Sequence, residues 1–465
     1  MEKVFAHLDA GKADLVQAIQ TAIGFHSLKG EPLPGAPFGK ENRAALDFAL
    51  AEAKKLGFTV KNLDGYCGYA EYGTGEEYVA VLGHLDIVPL GQGWTSPPLE
   101  GKIVNNCIVG RGAIDDKGPI FAALYALKAI KDAGITLKHR IRVIFGCDEE
   151  VGMTDMKHYL QHEPAPCFGF TPDSTFPVTY GEKGQINVFF SAELGEQPAD
   201  NMIVSIGGGD TMNVVPDYAE ATVRVTDPGA LVALAKKYAQ QEKCQLNAEG
   251  GNGNEVMIAV KGRPAHAMEP AMGDNAVSRL CAFLVECQLS GTLAEFVGKI
   301  NTLLGRECDG QSLGIACSDE VSGGLSLNFS RIICKKGTVE VGCDIRIPVT
   351  VNPEMIAEKI KTAAAALGLK LAMPKITYPL YYPKDSFLVT TLTEIFCRHF
   401  GKEVEPMTTG GGTYAKTMPN TVAFGMAFPG GISKGEHEAD EKLDLDELML
   451  ATKILAEAMI KLAQY

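Results

Sequence analysis

The sequence predicts an α/β protein: a mostly parallel mixed sheet with helices on both faces, interrupted by an inserted α+β domain. Three observations carry this expectation. Short apolar runs alternate with helical patterns over residues 1–184. Half-exposed alternating strands then take over, as in an antiparallel sheet with one solvated face. From Asp385 the first texture returns. The expected division is therefore one α/β domain made of residues 1–184 and 385–465, with residues 185–384 inserted.

In chain order, KADLVQAIQTAI places Leu15, Ile19 and Ile23 on one helical face. ENRAALDFALAEAKKLG is a second helix with Gly57 as its stop signal. EYVAVLGHLD reads as a buried strand, and KGPIFAALYALKAIKDAG as a helix with Pro119 in its first turn and Gly134 at its end. IRVIFG and CFGFTPD are further strands of the same kind. In the insertion, INVFFSAEL, YAEATVRVT and NEVMIAVKG alternate as strands, while PGALVALAKKYAQQ and NAVSRLCAFLVEC read as helices packed on them. TVEVGCDIRIPVT followed by NPEMIAEKIKTAAAALG repeats the order of YAEATVRVTD and PGALVALAKKYAQQ, which suggests a duplicated α+β unit. The last segment gives a helix (SFLVTTLTEIFCRHFG), one buried strand (TVAFGMAF) and a closing helix whose Asp444 and Glu447 are spaced as a capping box.

Composition excludes several classes. A net charge of −14 argues against general nucleic-acid binding or an anionic membrane surface. No run of about 18 apolar residues exists, so no membrane span is expected. The 12 cysteines contain no CxxC pair and no signal-peptide pattern precedes them, so reduced thiols in a cytoplasmic protein are expected.

The stretch FGCDEEVG poses the chemical question. Asp148, Glu149 and Glu150 stand side by side after a buried strand, where neighbouring like charges raise one another's pKa. On a solvated turn that means nothing; in a cleft it calls for a cation or a proton-transfer role. Other segment ends offer matching groups: His84 at the end of VLGHLD, Asp115 and Asp116 before a helix, Asp173 after CFGFTPD, and His437 after TVAFGMAF. Taken singly, each has an ordinary structural explanation, such as an Asx turn at Asp173 or helix-dipole charge at Asp115 and Asp116. Together they lie where open parallel sheets gather ligands, beyond the carboxyl ends of the strands. Imidazoles and carboxylates without thiolate suit zinc, or manganese or cobalt in the same cage. The set exceeds what one tetrahedral ion needs, so two ions sharing a carboxylate are expected, with one carboxylate of the Glu149–Glu150 pair as ligand and its neighbour as base.

The ordered motifs HLD, GAIDDKGP, DEEVG, PDSTFP and HEADE resemble the dinuclear zinc peptidases related to carnosinase, aminoacylase and succinyl-diaminopimelate desuccinylase. VPLGQGWTSPP, GFTPDSTFPVTYGEKG and GGGTYAKTMPNTVAFGMAFPG resemble its PepV-type bacterial dipeptidases, and the similarity runs from about residue 12 to the C-terminus. The resemblance implies that His84 and Asp173 hold one zinc, Glu150 and His437 the other, and that Asp115 bridges, with Asp116 in the variable position of the D-x-K-G pattern. It implies Glu149 as general base and Asp86 as the group that orients the His84 ring. In the inserted domain, which resembles the family's lid, it implies a substrate-contacting His266 and Asn213, Arg346 for the substrate carboxylate, and a close-approach loop with Gly411, Gly412 and Thr413. HEADE departs from many relatives at Glu438 and Asp440, neither of them a ligand position.

The expected activity is hydrolysis of the peptide bond of dipeptides, β-alanyl or D-residue dipeptides among them. The competing reading within the family is an N-acyl amino acid deacylase. A non-enzymatic small-ligand binder would leave the two histidines and the glutamate pair without purpose. GRGAID has Asp115 where a dinucleotide fingerprint needs its third glycine, and GGGTYAK lacks the P-loop ending. A doubled lid would supply His266 within the same chain, so a monomer is expected.

Overall fold

The structure, a computed structural model, describes residues 1–195, 200–335 and 337–465. The chain divides into two compact units: Met1–Gly181, Tyr381–Thr408 and Gly412–Tyr465 form the first, and Glu182–Leu380 with Thr409–Gly411 the second.

The first unit opens with helices α1 (Glu2–Ala10), α2 (Lys12–Ile23) and α3 (Lys40–Lys55). Strands β1 (Thr59–Leu63), β2 (Cys67–Tyr72) and β3 (Tyr78–His84) follow, then a short hairpin of β4 (Lys102–Val104) and β5 (Cys107–Val109). Helix α4 (Lys117–Asp132), strand β6 (Arg140–Gly146), helix α5 (Thr154–His162) and strand β7 (Phe168–Thr171) follow, with short strands at Ser174–Thr175 and Thr179–Glu182 after them. The main sheet runs β1-β2-β6-β3-β7 and continues into Thr421–Ala423. Strands β6, β3, β7 and Thr421–Ala423 are mutually parallel, while β1 and β2 add an antiparallel edge.

Every residue of β3 is buried, which is why it reads as an unbroken apolar run. Its one interruption, Gly83, is required by packing: a Cβ there would lie 2.0 Å from Asp116 Oδ2. Helix α4 is buried around almost its whole circumference, between the sheet and the closing helix Leu445–Gln464. Pro119 lies in its first turn and Gly134, at φ 66°, follows its C-cap.

Two local expectations are corrected. TVAFGMAF is two short strands, Thr421–Ala423 and Met426–Ala427, because Gly425 turns the chain at φ 90° between them. The capping box is half formed. Asp444 Oδ1 accepts from the amides of Asp446 and Glu447, but the Glu447 carboxylate turns away to the amides of Ile432 and Ser433. The Asp444 amide is instead satisfied by Ser433 Oγ.

The second unit is an antiparallel sheet covered on one face by helices. Its strand order is Gln245–Gly250, Glu255–Lys261, Tyr218–Arg224, Met202–Gly208, Ser326–Lys335, Thr338–Ile347, Gly184–Glu193 and Lys370–Ala372. The repeat read from the sequence is visible as a two-part sheet. Met202–Gly208, Tyr218–Arg224, helix Pro228–Glu242 and Gln245–Gly250 follow the same order as Ser326–Lys335, Thr338–Ile347, helix Pro353–Ala366 and Lys370–Ala372. The halves join where Gly207 and Gly208 pair with Ile333 and Ile332. Gly184–Glu193 fills in one half the place that Glu255–Lys261 fills in the other. Alternation such as that of Tyr218–Arg224 buries Ala219, Ala221 and Val223 against the helices.

All 12 cysteines are free thiols. Among the described residues, no helix is long and apolar enough to cross a membrane.

Candidate metal centre

The parallel strands end side by side, and their continuations carry the ligand-type residues. His84 ends β3 and pairs in register with Gly146, the end of β6. The DEE run begins two residues later, and Asp173 lies two residues beyond the end of β7. His437 arrives on a turn after Met426–Ala427, with its own backbone in the left-handed region at φ 64°.

These side chains converge around Asp115. His84 Nε2 lies 2.9 Å from Asp115 Oδ1 and 3.6 Å from Asp173 Oδ2. His437 Nε2 lies 3.1 Å from Asp115 Oδ2 and 3.2 Å from Glu150 Oε2. Two groups of potential ligand atoms result, His84–Asp115–Asp173 and Asp115–Glu150–His437, sharing Asp115. Asp116 does not join them: its Oδ2 accepts from the His84 amide at 2.9 Å. Lys117 also points elsewhere, donating to the Phe25 carbonyl at 2.7 Å.

The three consecutive carboxylates have three separate surroundings. Asp148 is buried and accepts from Lys29 Nζ at 2.6 Å and from the hydroxyl and amide of Thr154. Glu150 faces His437. Glu149 and Glu150 are half-buried, and the buried Oε1 of each lacks a hydrogen-bond partner among the described residues. An unpaired buried carboxylate oxygen is costly unless a cation or a proton meets it.

The electrostatics of the cluster demand positive charge. Burial, together with Asp173 and Glu150 nearby, pushes Glu149 well above the usual carboxylate range. Burial and Asp115 raise Glu150. Burial opposes a charge on His84, yet hydrogen bonds to Asp115, Asp173 and Asp86 raise it well above the usual imidazole value. Asp115 and Glu150 push His437 up to about 11. Burial would also raise Asp115, but the two imidazoles hold its carboxyl below the usual range.

The family model "Peptidase family M20/M25/M40" matches residues 80–461. The chain belongs to this peptidase family. "Putative dipeptidase YtjP" of Bacillus subtilis is 37% identical over 97% of this chain and 98% of its own length. "Putative dipeptidase SH1171" of Staphylococcus haemolyticus is 33% identical over 92% of each chain. Human carnosine dipeptidase 1 shares the fold, with a TM-score of 0.62 at 17% identity, covering 100% of this chain and 99% of that one. The di-peptidase Dug1p of Saccharomyces cerevisiae gives a TM-score of 0.61 at 14% identity over 98% and 97%. As an M20-family metallopeptidase, this chain is a hydrolase that binds divalent metal.

In this M20 peptidase, Asp86 does more than its position implied. The His84 ring meets the Asp86 backbone carbonyl at 2.9 Å, with the carboxylate at 3.5 Å. The carboxylate oxygens accept the amides of Glu149 and Glu150, at 3.2 Å each. Sequence reasoning missed three further supports. Buried Glu441 accepts from Arg111 at 2.8 Å and from the amides of Gly112, Ile114 and Asp115. Asp155 Oδ2 accepts from the amides of Cys147 and Asp148 and from Tyr414 Oη. Tyr414 packs against Gly146, where a Cβ would lie 2.0 Å from Oη. Neither spacing nor periodicity marks these residues, because each acts through a fold-made contact.

The remaining candidates belong largely to the second unit. Asn213 and His266 lie on paired segments of the second unit: Ala267 N donates to Asn213 O at 2.8 Å, and Val214 bridges to His266. Met268 N donates to His266 Nδ1 at 3.1 Å. Arg346 is buried, and Asp344 takes its Nε and Nη2 at 2.7 and 2.8 Å while Gly410 O takes Nη1 at 2.9 Å. Three of its five N–H donors are so engaged. Gly411 belongs to the second unit, whereas Gly412 and Thr413 belong to the first, where Thr413 Oγ1 caps the turn Tyr414–Lys416.

Proposed function

We propose that this M20 peptidase is a dipeptidase that uses two zinc ions and Glu149 as general base. The observation that carries the reading is the placement of Asp115, with one carboxylate oxygen on each of two histidine–carboxylate groups. The residues fit such a pair. His84 and Asp173 would hold one ion, Glu150 and His437 the other, and Asp115 would bridge. The unpartnered oxygens of Glu149 and Glu150 and the raised proton affinity of both imidazoles suit a doubly cationic occupant.

When bound, such ions supply Lewis acidity that acidifies water and polarises a carbonyl. Glu149 then takes the proton of the attacking water and delivers it to the leaving amine. Burial suits it, since it raises the carboxylate's affinity for the proton that it takes up and then passes on. Asp86 fixes the direction of that carboxylate by holding the backbone beneath it. Arg346 takes the C-terminal carboxylate of the substrate through its two remaining N–H groups, with Asp344 fixing the guanidinium plane. Asn213, His266 and the loop with Gly411, Gly412 and Thr413 supply further substrate contacts. The names of the B. subtilis and S. haemolyticus relatives support the dipeptide as substrate.

The test is Glu149→Ala in zinc-replete protein, assayed on a dipeptide panel with N-acyl amino acids alongside. Turnover should fall by roughly 10²–10⁴ or more, the scale of a general base, while bound zinc stays the same. Normal turnover would remove Glu149 from the mechanism, and preference for N-acyl amino acids would replace the dipeptide as substrate.

A further inference from the structure

A second set of metal-type ligands lies outside the centre described above. His158 and His162 are four residues apart in α5, so both rings project from the same helical face. Asp64, in the turn between β1 and β2, meets them: its Oδ2 lies 3.1 Å from His158 Nε2. One ligand atom from each of Asp64, His158 and His162 lies within 4.8 Å of the others. Neither the mechanism nor the family motifs use these residues.

The surroundings prearrange them. Tyr66 stacks on the His158 ring, with centroids 4.1 Å apart and planes 12° from parallel. The His162 ring lies 4.2 Å from that of His158, and its Nδ1 is 2.8 Å from the His158 carbonyl. A carbonyl can only accept, so this contact places the proton on Nδ1 and leaves the Nε2 lone pair outward. An imidazole that donates its other N–H to a carbonyl is the usual arrangement of a metal-bound histidine. Asp64 is held by its left-handed backbone, at φ 56°, and its side chain is mostly exposed.

We propose that Asp64, His158 and His162 form a peripheral zinc site that cross-links the C-terminal turn of α5 to the β1–β2 turn. Two imidazoles and one carboxylate are three protein ligands of a zinc site, and solvent access leaves water for the fourth. Ligand atoms around a tetrahedral zinc are about 3.3 Å apart, given bonds of about 2.0–2.1 Å. His158 Nε2 and Asp64 Oδ2 already stand 3.1 Å apart, and one ligand atom from each of the three residues lies within 4.8 Å of the others. The site has a structural consequence. Helix α5 begins just after the DEE loop, and its Asp155 holds the amides of Cys147 and Asp148. Fixing the far end of α5 to the hairpin therefore steadies the element that braces the loop carrying Glu149 and Glu150.

The test compares the full-length protein with His158→Gln/His162→Gln and with Asp64→Asn, the latter chosen because Asn tolerates the left-handed conformation. Each protein is dialysed against Zn²⁺ at fixed free concentration and its bound metal counted. The unmodified chain should bind one equivalent more than the double histidine variant, whatever number the main centre holds. It should also be retained on an immobilised Ni²⁺ column, with retention lost in the double variant. Asp64→Asn should weaken the extra equivalent at least tenfold. Because the readout is a difference, failure of the two-zinc reading does not affect it. Equal zinc counts in the folded unmodified and variant chains, or equal column retention, would overturn the proposal.

Discussion

Asp86 Oδ1 accepts a hydrogen bond from the Glu149 amide at 3.2 Å, and its partner oxygen does the same for Glu150. One buried carboxylate thus sets the backbone of both the proposed base and the neighbouring ligand, while its own carbonyl meets the His84 ring. Asp86→Asn replaces one acceptor oxygen by an NH₂ group that opposes an amide. Such supporting groups typically account for roughly 10- to 100-fold in activity or metal affinity. Steady-state kinetics with a parallel zinc count should show a loss in kcat of that size; unchanged kcat and zinc content would reduce Asp86 to a packing residue.

Glu441 binds Arg111 and the amides of Gly112, Ile114 and Asp115. Glu441→Ala leaves the buried Arg111 guanidinium without its carboxylate, and breaking a buried pair from one side costs about 3–5 kcal/mol. Denaturant unfolding should show a loss of that order, with Glu441→Gln intermediate. A loss within about 0.5 kcal/mol would mean that the pair contributes little.

Asp155 gives a pH prediction. Burial pushes its carboxyl from 3.8 to about 7, against hydrogen bonds from Tyr414 and the Cys147 amide that favour the charged form. Between those two values the folded chain binds more protons at this position than the unfolded chain. Stability from this group is therefore fully present at the acid end and is lost as pH rises toward 7. Asp155→Asn, which does not titrate, should flatten that part of the profile. Melting temperatures of both proteins across pH 4.5–8 should diverge in slope (on the order of a few degrees); parallel profiles would contradict the assignment.

Arg346 is proposed to present two N–H groups to a substrate carboxylate while Asp344 holds its other edge. Arg346→Lys should raise KM for dipeptides by roughly tenfold or more, since lysine lacks the planar fork. Asp344→Asn should raise KM in the same direction but less. Unchanged KM in both variants would remove Arg346 from substrate binding.

Much of the candidate site is legible in the sequence because His84, Glu150 and Asp173 lie at or just beyond strand ends, which show as apolar runs that stop. Asp115 before a helix and His437 on a later turn are legible from the family motifs, which contain all five, and the structure brings the five together. The choice of Asp115 over Asp116 rests on the motif pattern; in the structure Asp116 turns to the β3 backbone. Other features are not legible. Nothing local distinguishes Asp148, tied to Lys29, from the two glutamates after it. Glu441 and Asp155 act on backbone amides far from them in sequence or around a turn, so no periodicity reports them. TVAFGMAF reads as one strand because its residues are apolar almost throughout, and burial hides the turn at Gly425.

The most direct test of the two-ion reading is anomalous diffraction at the zinc edge from crystals of zinc-loaded protein carrying His158→Gln/His162→Gln. Two peaks about 3.5–4 Å apart, one on either side of the Asp115 carboxylate, are expected. A single peak, or peaks with Asp115 outside bonding distance, would contradict it.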